Sequence, residues 1–152
     1  MQEHRVVVYR FLMAAAGPAE ADDCFQETFL SALRAYPTLR EDSNLRAWVL
    51  TIATRKVIDM ARARGRRAVP VAEPDSGPTG AGDLDGVDPV WDAVRGLPPQ
   101  QRAAVTHRFL LDMSYAGVAE AMGTTEQTAR ANVYQGLKKL REQTRRAHAV
   151  QE

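Results

Sequence analysis

The chain is poor in the residues that build redox and metal chemistry. Its 152 residues include one cysteine, Cys24, and three scattered histidines, His4, His107 and His148. A lone cysteine excludes an intrachain disulfide, and no cluster at ligand spacing supports a metal site. Long apolar runs are missing too: none approaches the roughly 20 residues that span a bilayer. The opening "MQEHRVVVYRFLMAAAG" carries Glu3, Arg5 and Arg10 and is followed by "PAEADD", so it reads as an amphipathic helix rather than a signal peptide. Strand signals are absent throughout. These absences predict an all-α, cytoplasmic protein with no membrane insertion, no metal and no cofactor. With 45% hydrophobic residues the chain can fill one compact core or two small ones.

Charge is present in blocks. Arg46, Arg55, Lys56, Arg62, Arg64, Arg66 and Arg67 stand against Asp59 alone. The stretch from Val69 to Asp92 holds Glu73, Asp75, Asp83, Asp85, Asp88 and Asp92 with no Lys or Arg. From Arg130 onward Lys138, Lys139, Arg141, Arg145 and Arg146 face Glu142. A net charge of +1 hides this basic, acidic, basic order. Two cationic patches flanking a non-cationic stretch predict two contacts with one polyanion.

The middle block is predicted to be a linker. "VPVAEPDSGPTGAGDLDGVDP" has no hydrophobic period and concentrates Pro74, Gly77, Pro78, Gly80 and Gly82. Such a composition buries too little surface to offset its ordering entropy. The expected organisation is a helical domain over residues 1–68, a flexible linker over 69–89 and a second helical domain over 90–152.

In the first domain one helix is predicted from Gln2 to Ala16, stopped by Gly17-Pro18. A second runs from about Ala19 to Tyr36, with Glu20, Asp22 and Asp23 at its positive dipole end and Pro37 beyond it. Phe25, Phe29 and Leu33 form a stripe. A third, capped by Ser43 or Asn44, places Leu45, Trp48, Val49, Ile52, Ala53, Val57 and Met60 on one face before running into arginines.

In the second domain "LPPQQRAAVTHRFLLDM" is predicted as one helix with proline near its start. "SYAGVAEAM" follows as a short helix with Ser114 as N-cap. "GTT" makes a turn in which Gly123 takes positive φ. A long basic helix comes last, with Ala129, Val133, Leu137 and Leu140 on one stripe. Ala119, Gly123, Ala129 and Val133 have helix-turn-helix spacing: a small residue for close approach, a turn glycine and two wedge fillers. That pattern puts Thr125, Glu126, Gln127, Arg130, Ala131 and Tyr134 near bases or phosphates of a major groove.

Together, "ADDCFQETFLSALRAY" with "NLRAWVLTIATRKVIDMARARGRR", and "LPPQQRAAVTHRFLLDMSYAGVAEAMGTTEQTARANVYQGLKKLR", resemble the two domains of extracytoplasmic-function (ECF) sigma factors of bacterial RNA polymerase. The resemblance implies a sigma region-two-like bundle and a region-four-like helix-turn-helix. Asp22, Asp23, Gln26, Glu27 and Phe29 would grip core RNA polymerase. Ser43, Asn44, Arg46, Arg55, Lys56, Arg62, Arg64, Arg66 and Arg67 would meet the minus-ten element, the arginines on phosphates. The recognition helix would read the minus-thirty-five element through Thr125, Glu126, Gln127, Arg130, Ala131 and Tyr134, with Lys138 and Lys139 on phosphates. No catalysis and no small-molecule substrate are implied; the partners implied are core polymerase and promoter DNA, with an anti-sigma factor as a further candidate.

Two other classes fit the residues less fully. A free-standing helix-turn-helix regulator leaves the "DDCFQETF" helix without a job. A sigma-like chain that mainly titrates an anti-sigma partner would bind without opening promoters. The chain departs from the family's pattern at the recognition helix, where Asn132, Gln135 and Leu137 stand at positions often held by arginine. The helix before "VYRFL" is also shorter than usual in the family.

Overall fold

The computed structural model describes residues 2–40, 44–67 and 89–151, with side chains for 4–40, 44–65 and 89–146. Every regular element among them is helical: α1 (Gln2–Ala16), α2 (Pro18–Ala35), a 3₁₀ turn (Tyr36–Thr38), α3 (Leu45–Arg67), α4 (Pro89–Arg95), α5 (Pro99–Val105), a π turn (Thr106–Leu110), α6 (Tyr115–Met122) and α7 (Glu126–Gln151). Ser43 and most of the expected linker, 69–88, lie outside the described residues.

The first three helices form one lobe. Gly17 separates α1 from α2 at φ 92°, a conformation that L side chains rarely adopt, and Pro18 then starts α2 where its missing N–H costs nothing. On α2 the buried residues Ala21, Cys24, Thr28 and Ala32 recur at three and four. The Thr28 hydroxyl donates to the Cys24 carbonyl at 2.7 Å, so this polar group costs little inside. Asn44 caps α3, its side-chain oxygen accepting from the Ala47 N–H at 3.2 Å. Phe11, Leu12, Val49, Leu50 and Val57 are essentially sealed from solvent. Each such side chain contributes about 1.5–3 kcal/mol of burial.

The second lobe is built around the close crossing of α5 and α7. Gly136 permits it: a Cβ there would sit 2.7 Å from Val105 Cγ2. Ala104, Val118, Ala119, Ala129 and Val133 make a small core of their own.

Two expectations need revision. Pro89 opens α4, so the predicted linker reaches one residue into a helix. The helix expected from Leu97 to Met113 begins at Pro99 and does not continue as an α-helix past Val105. The Thr106 hydroxyl bonds the Arg102 carbonyl at 2.8 Å, and the backbone widens into a π turn in which Leu111 N–H reaches the Thr106 carbonyl at 3.3 Å. Asp112 then takes φ 55° and ends the run.

The two lobes share a core: Ala103, Leu111 and Ala121 join Val8, Phe11, Leu12, Leu50 and Val57 in one cluster. Helix α3 is buried on a second side, along Ala47, Leu50 and Thr54. The Thr51 hydroxyl contacts the Ala47 carbonyl at 2.8 Å and the Glu120 carbonyl of the other lobe at 3.2 Å.

Candidate nucleic-acid interface

The seam between the lobes is the most enclosed polar site among the described residues. His107 is completely buried, stacked on Phe11 with ring centroids 4.3 Å apart and planes at 5°. Its Nε2 lies 2.8 Å from Thr54 Oγ1, which is itself 2.6 Å from the Leu50 carbonyl. The hydroxyl has one proton, and the shorter contact takes it; Nε2 therefore carries the ring hydrogen. Nδ1 is left buried with no partner. Burial pushes the His107 pKa down to about 3, so the ring is neutral at pH 7. Beside it, two guanidiniums of the second lobe cap the carboxyl end of α1. Arg95 reaches the Met13 and Ala14 carbonyls at 3.5 and 3.4 Å, and Arg102 reaches the Ala15 carbonyl at 3.2 Å. Cations at this helix end complement its dipole.

Outside the seam, the residues assigned to partners are mostly exposed. On α2 Asp22, Asp23, Gln26 and Glu27 are exposed. Phe29 is half-buried against Phe25 at 4.8 Å, so it serves the core as well as any surface. Leu30 and Leu33 extend the same helix as exposed apolar residues. Asp22 accepts from the Tyr9 hydroxyl at 3.3 Å. Cys24 is buried, and burial followed by Glu20, Asp23 and Glu27 raises its thiol pKa, which makes it an inert thiol.

Helix α3 brings the two assigned surfaces close. Lys56 lies 3.8 Å from Glu27 and Arg64 pairs with Glu20, both on α2. Arg46, Arg55 and Arg62 are exposed and make no ion pair among the described residues. The side chains of Arg66 and Arg67 lie outside the described ones. An open cleft of about 230 Å³, lined by Ser31, Ala35, Ile52, Arg55, Lys56 and Asp59, sits between α2 and α3. Trp48 is half-buried, with Tyr36 edge-on at 6.4 Å.

The helix-turn-helix is built as its spacing predicts. Ser114 Oγ caps α6 by accepting from Gly117 N–H at 3.0 Å, and Gly123 ends it at φ 66°. Ala119, Ala129 and Val133 are buried in the wedge. Thr125 caps α7, its hydroxyl oxygen accepting from Thr128 N–H at 3.1 Å, a role its assignment to DNA had not included. Thr125, Glu126, Gln127, Arg130, Ala131, Tyr134, Lys138 and Lys139 are all exposed. Arg130 pairs with Glu126 at 3.7 Å and lies over the Tyr115 ring, its Cζ 4.3 Å from the centroid. Sequence reasoning missed Tyr115, His107, Arg95 and Arg102, because each acts on a partner distant in sequence.

Two helical lobes, one ending in a basic helix and the other carrying an exposed helix after a tight turn, define a helix-turn-helix protein. Residues 1–67 match the family model for sigma-70 region 2, and residues 88–140 match that for sigma-70 region 4. The chain is 35% identical over 143 residues to the ECF RNA polymerase sigma factor BldN of Streptomyces coelicolor, covering 88% of this chain and 54% of that one. It is 34% identical over 134 residues to a probable RNA polymerase sigma-C factor of Mycobacterium bovis, covering 83% and 71%. Among solved structures it resembles the sigma factor RpoE of Bartonella quintana, crystallised with the anti-sigma factor NepR, at TM-score 0.70 and 24% identity, covering 93% and 91%. The chain belongs to the ECF sigma factors. It spans about half the length of the first of these relatives and about 70% of the second.

Proposed function

We propose that this protein binds core RNA polymerase and directs it to promoters, opening them at the minus-ten element and reading the minus-thirty-five element. The observation that carries this is the exposure of two separate basic helices, α3 and α7, on a chain that also presents the acidic edge of α2. A free-standing regulator needs only the second lobe. In this reading Asp22, Asp23, Gln26, Glu27 and the exposed side of Phe29 meet polymerase. Asn44, Arg46, Arg55, Lys56, Arg62 and Arg64, with Ser43, Arg66 and Arg67, meet minus-ten DNA. The exposed face of α7 meets duplex at minus thirty-five.

The closed arrangement constrains the mechanism. The two elements lie about 25 base pairs apart, or roughly 85 Å along B-form DNA at 3.4 Å per step. A compact chain of this length has a radius of gyration of only about 15 Å. The lobes must therefore part before both elements are engaged. Breaking the seam exposes α3 on the side of Thr51 and Thr54, so promoter binding and loss of the His107 contact are coupled.

Run-off transcription with purified core polymerase and a genomic fragment pool tests the reading. Discrete transcripts that require this protein are expected. Asp23→Ala with Gln26→Ala should weaken core binding about tenfold or more while circular dichroism stays unchanged. Unaltered affinity in the folded double variant would remove α2 from the polymerase interface. Binding to duplex without any transcript would leave a helix-turn-helix regulator.

A further inference from the structure

Tyr115 is the first residue of α6, held by the Ser114 cap before it and packed by its ring against the buried core of Ala104, Val118, Ala119, Ala129 and Val133. Two guanidiniums lie on that ring. Arg108 Cζ is 4.7 Å from its centroid, and Arg108 is tied down because Nη1 donates to the Met113 carbonyl at 2.8 Å. Arg130 Cζ is 4.3 Å away, yet the Arg130 side chain remains 59% exposed. The first cation is therefore part of the scaffold and the second is not. Arg130 is steadied from two sides, by the ring and by the Glu126 carboxylate, while its outward face stays open.

We propose that Tyr115 is a positioning residue for promoter reading: its ring holds the Arg130 guanidinium in the orientation in which α7 presents it to a base edge. This rests on the reading of α7 as the groove helix. An exposed arginine otherwise samples many rotamers, and freezing it on DNA costs affinity for the correct base and blurs the distinction from wrong ones. A guanidinium held over a ring presents its donors as a fixed fork, the geometry that a guanine edge accepts in two bonds. Because the ring belongs to α6, the two helices of the motif act together: one carries the reading group, the other holds it in place. The tyrosine hydroxyl has no part in this, so phenylalanine should substitute.

The test uses the full chain and two measurements. Side-chain NMR on arginine-labelled protein should show Arg130 Nε more ordered than Nε of Arg141 and Arg145, exposed residues of the same helix. Tyr115→Phe should keep that order and Tyr115→Leu should abolish it. In binding titrations on a minus-thirty-five duplex library, Tyr115→Leu should reduce discrimination about three- to tenfold at the positions that Arg130→Ala relaxes, and leave other positions unchanged. In the Arg130→Ala background it should add nothing. Circular dichroism confirms the fold, and Tyr115→Met replaces Tyr115→Leu if the latter unfolds. An Arg130 as mobile as Arg141 in the unaltered protein overturns the proposal. So does a folded Tyr115→Leu variant that keeps the full binding profile or lowers every affinity alike. If Arg130→Ala itself relaxes no position, the reading of Arg130 as a base contact fails, and Tyr115 has no reading role even where the NMR finds an ordered guanidinium.

Discussion

Two faces of this molecule use polar side chains in opposite ways. At the seam, Arg95, Arg102, Thr51, Thr54 and His107 each make a hydrogen bond to the other lobe. On α7, Gln127, Tyr134, Lys138 and Lys139 are exposed and make no ion pair among the described residues. The seam turns its polar groups inward, with His107 Nδ1 and Arg102 Nε left unpaired there, and the exposed face of α7 turns its polar groups to solvent. A polar residue facing solvent on an amphipathic helix is ordinary. A polar residue sealed inside, such as His107, persists only where packing and a hydrogen bond offset its desolvation. The contrast marks one face as a joint and is consistent with the reading role proposed for the other.

The largest effect that would break this contrast is expected at His107. His107→Ala removes a sealed ring from Phe11 and leaves Thr54 without its second partner. The loss should be about 3 kcal/mol of coupling between the lobes. Chemical unfolding of the unaltered protein should show one transition. The variant should show two, because the lobes then melt separately. A single, unshifted transition in His107→Ala would mean the lobes are held elsewhere.

The next prediction uses acid in place of mutation. The His107 pKa is about 3 in the closed form, against about 6.5 in an open or unfolded chain. The open chain therefore binds more protons between those values, and stability falls as pH drops below about 6.5. From pH 7 to pH 5 the closed form should lose roughly 2 kcal/mol. His107→Leu should abolish that acid limb. A limb of equal slope in His107→Leu would assign it to other groups.

The recognition face was legible in advance, and the seam was not; the reason is physical. Helical period and turn chemistry are local, so Ala119, Gly123, Ala129 and Val133 announce a helix-turn-helix within fifteen residues. The stripe from Leu45 to Met60 likewise announces a buried side of α3. Thr54 and His107 meet across 53 residues, and Arg102 and Ala15 across 87. Nothing local marks such pairs. The one available signal was a second small-and-threonine stripe on α3, Ala47, Thr51 and Thr54, too polar to read as a packing face until its hydroxyls are seen turned onto backbone carbonyls. The π turn that aims His107 inward was equally hidden, because its sequence is compatible with a plain helix.

A third prediction sharpens the reading surface. Arg130→Ala should lose about 1–3 kcal/mol of discrimination at one or two minus-thirty-five positions. Lys138→Ala should weaken all sequences about equally and flatten the salt dependence by roughly one unit of slope. Titrations on a duplex library at two salt concentrations separate the two. Uniform loss with Arg130→Ala would make it a phosphate contact and pass the reading to Gln127, Ala131 or Tyr134.

The smallest expected effect lies at Glu27 and Lys56, where the surface assigned to polymerase touches the one assigned to DNA. Their separation is 3.8 Å, and the side chains are 64% and 31% exposed. At such exposure solvent and salt screen the attraction, and ordering two long side chains offsets most of what remains. Glu27→Gln or Lys56→Gln should therefore change folding stability by less than about 1 kcal/mol. Their functional effects should diverge. Lys56→Gln removes a cation from the minus-ten surface and should lower promoter affinity at low salt. Glu27→Gln frees that cation and should leave DNA binding intact or slightly stronger while weakening polymerase capture. Stability, core affinity and promoter affinity measured on both variants decide the matter. A common fall in stability of several kcal/mol would mark the pair as a structural brace between α2 and α3, and it would then belong with the seam instead of with the surfaces that meet partners.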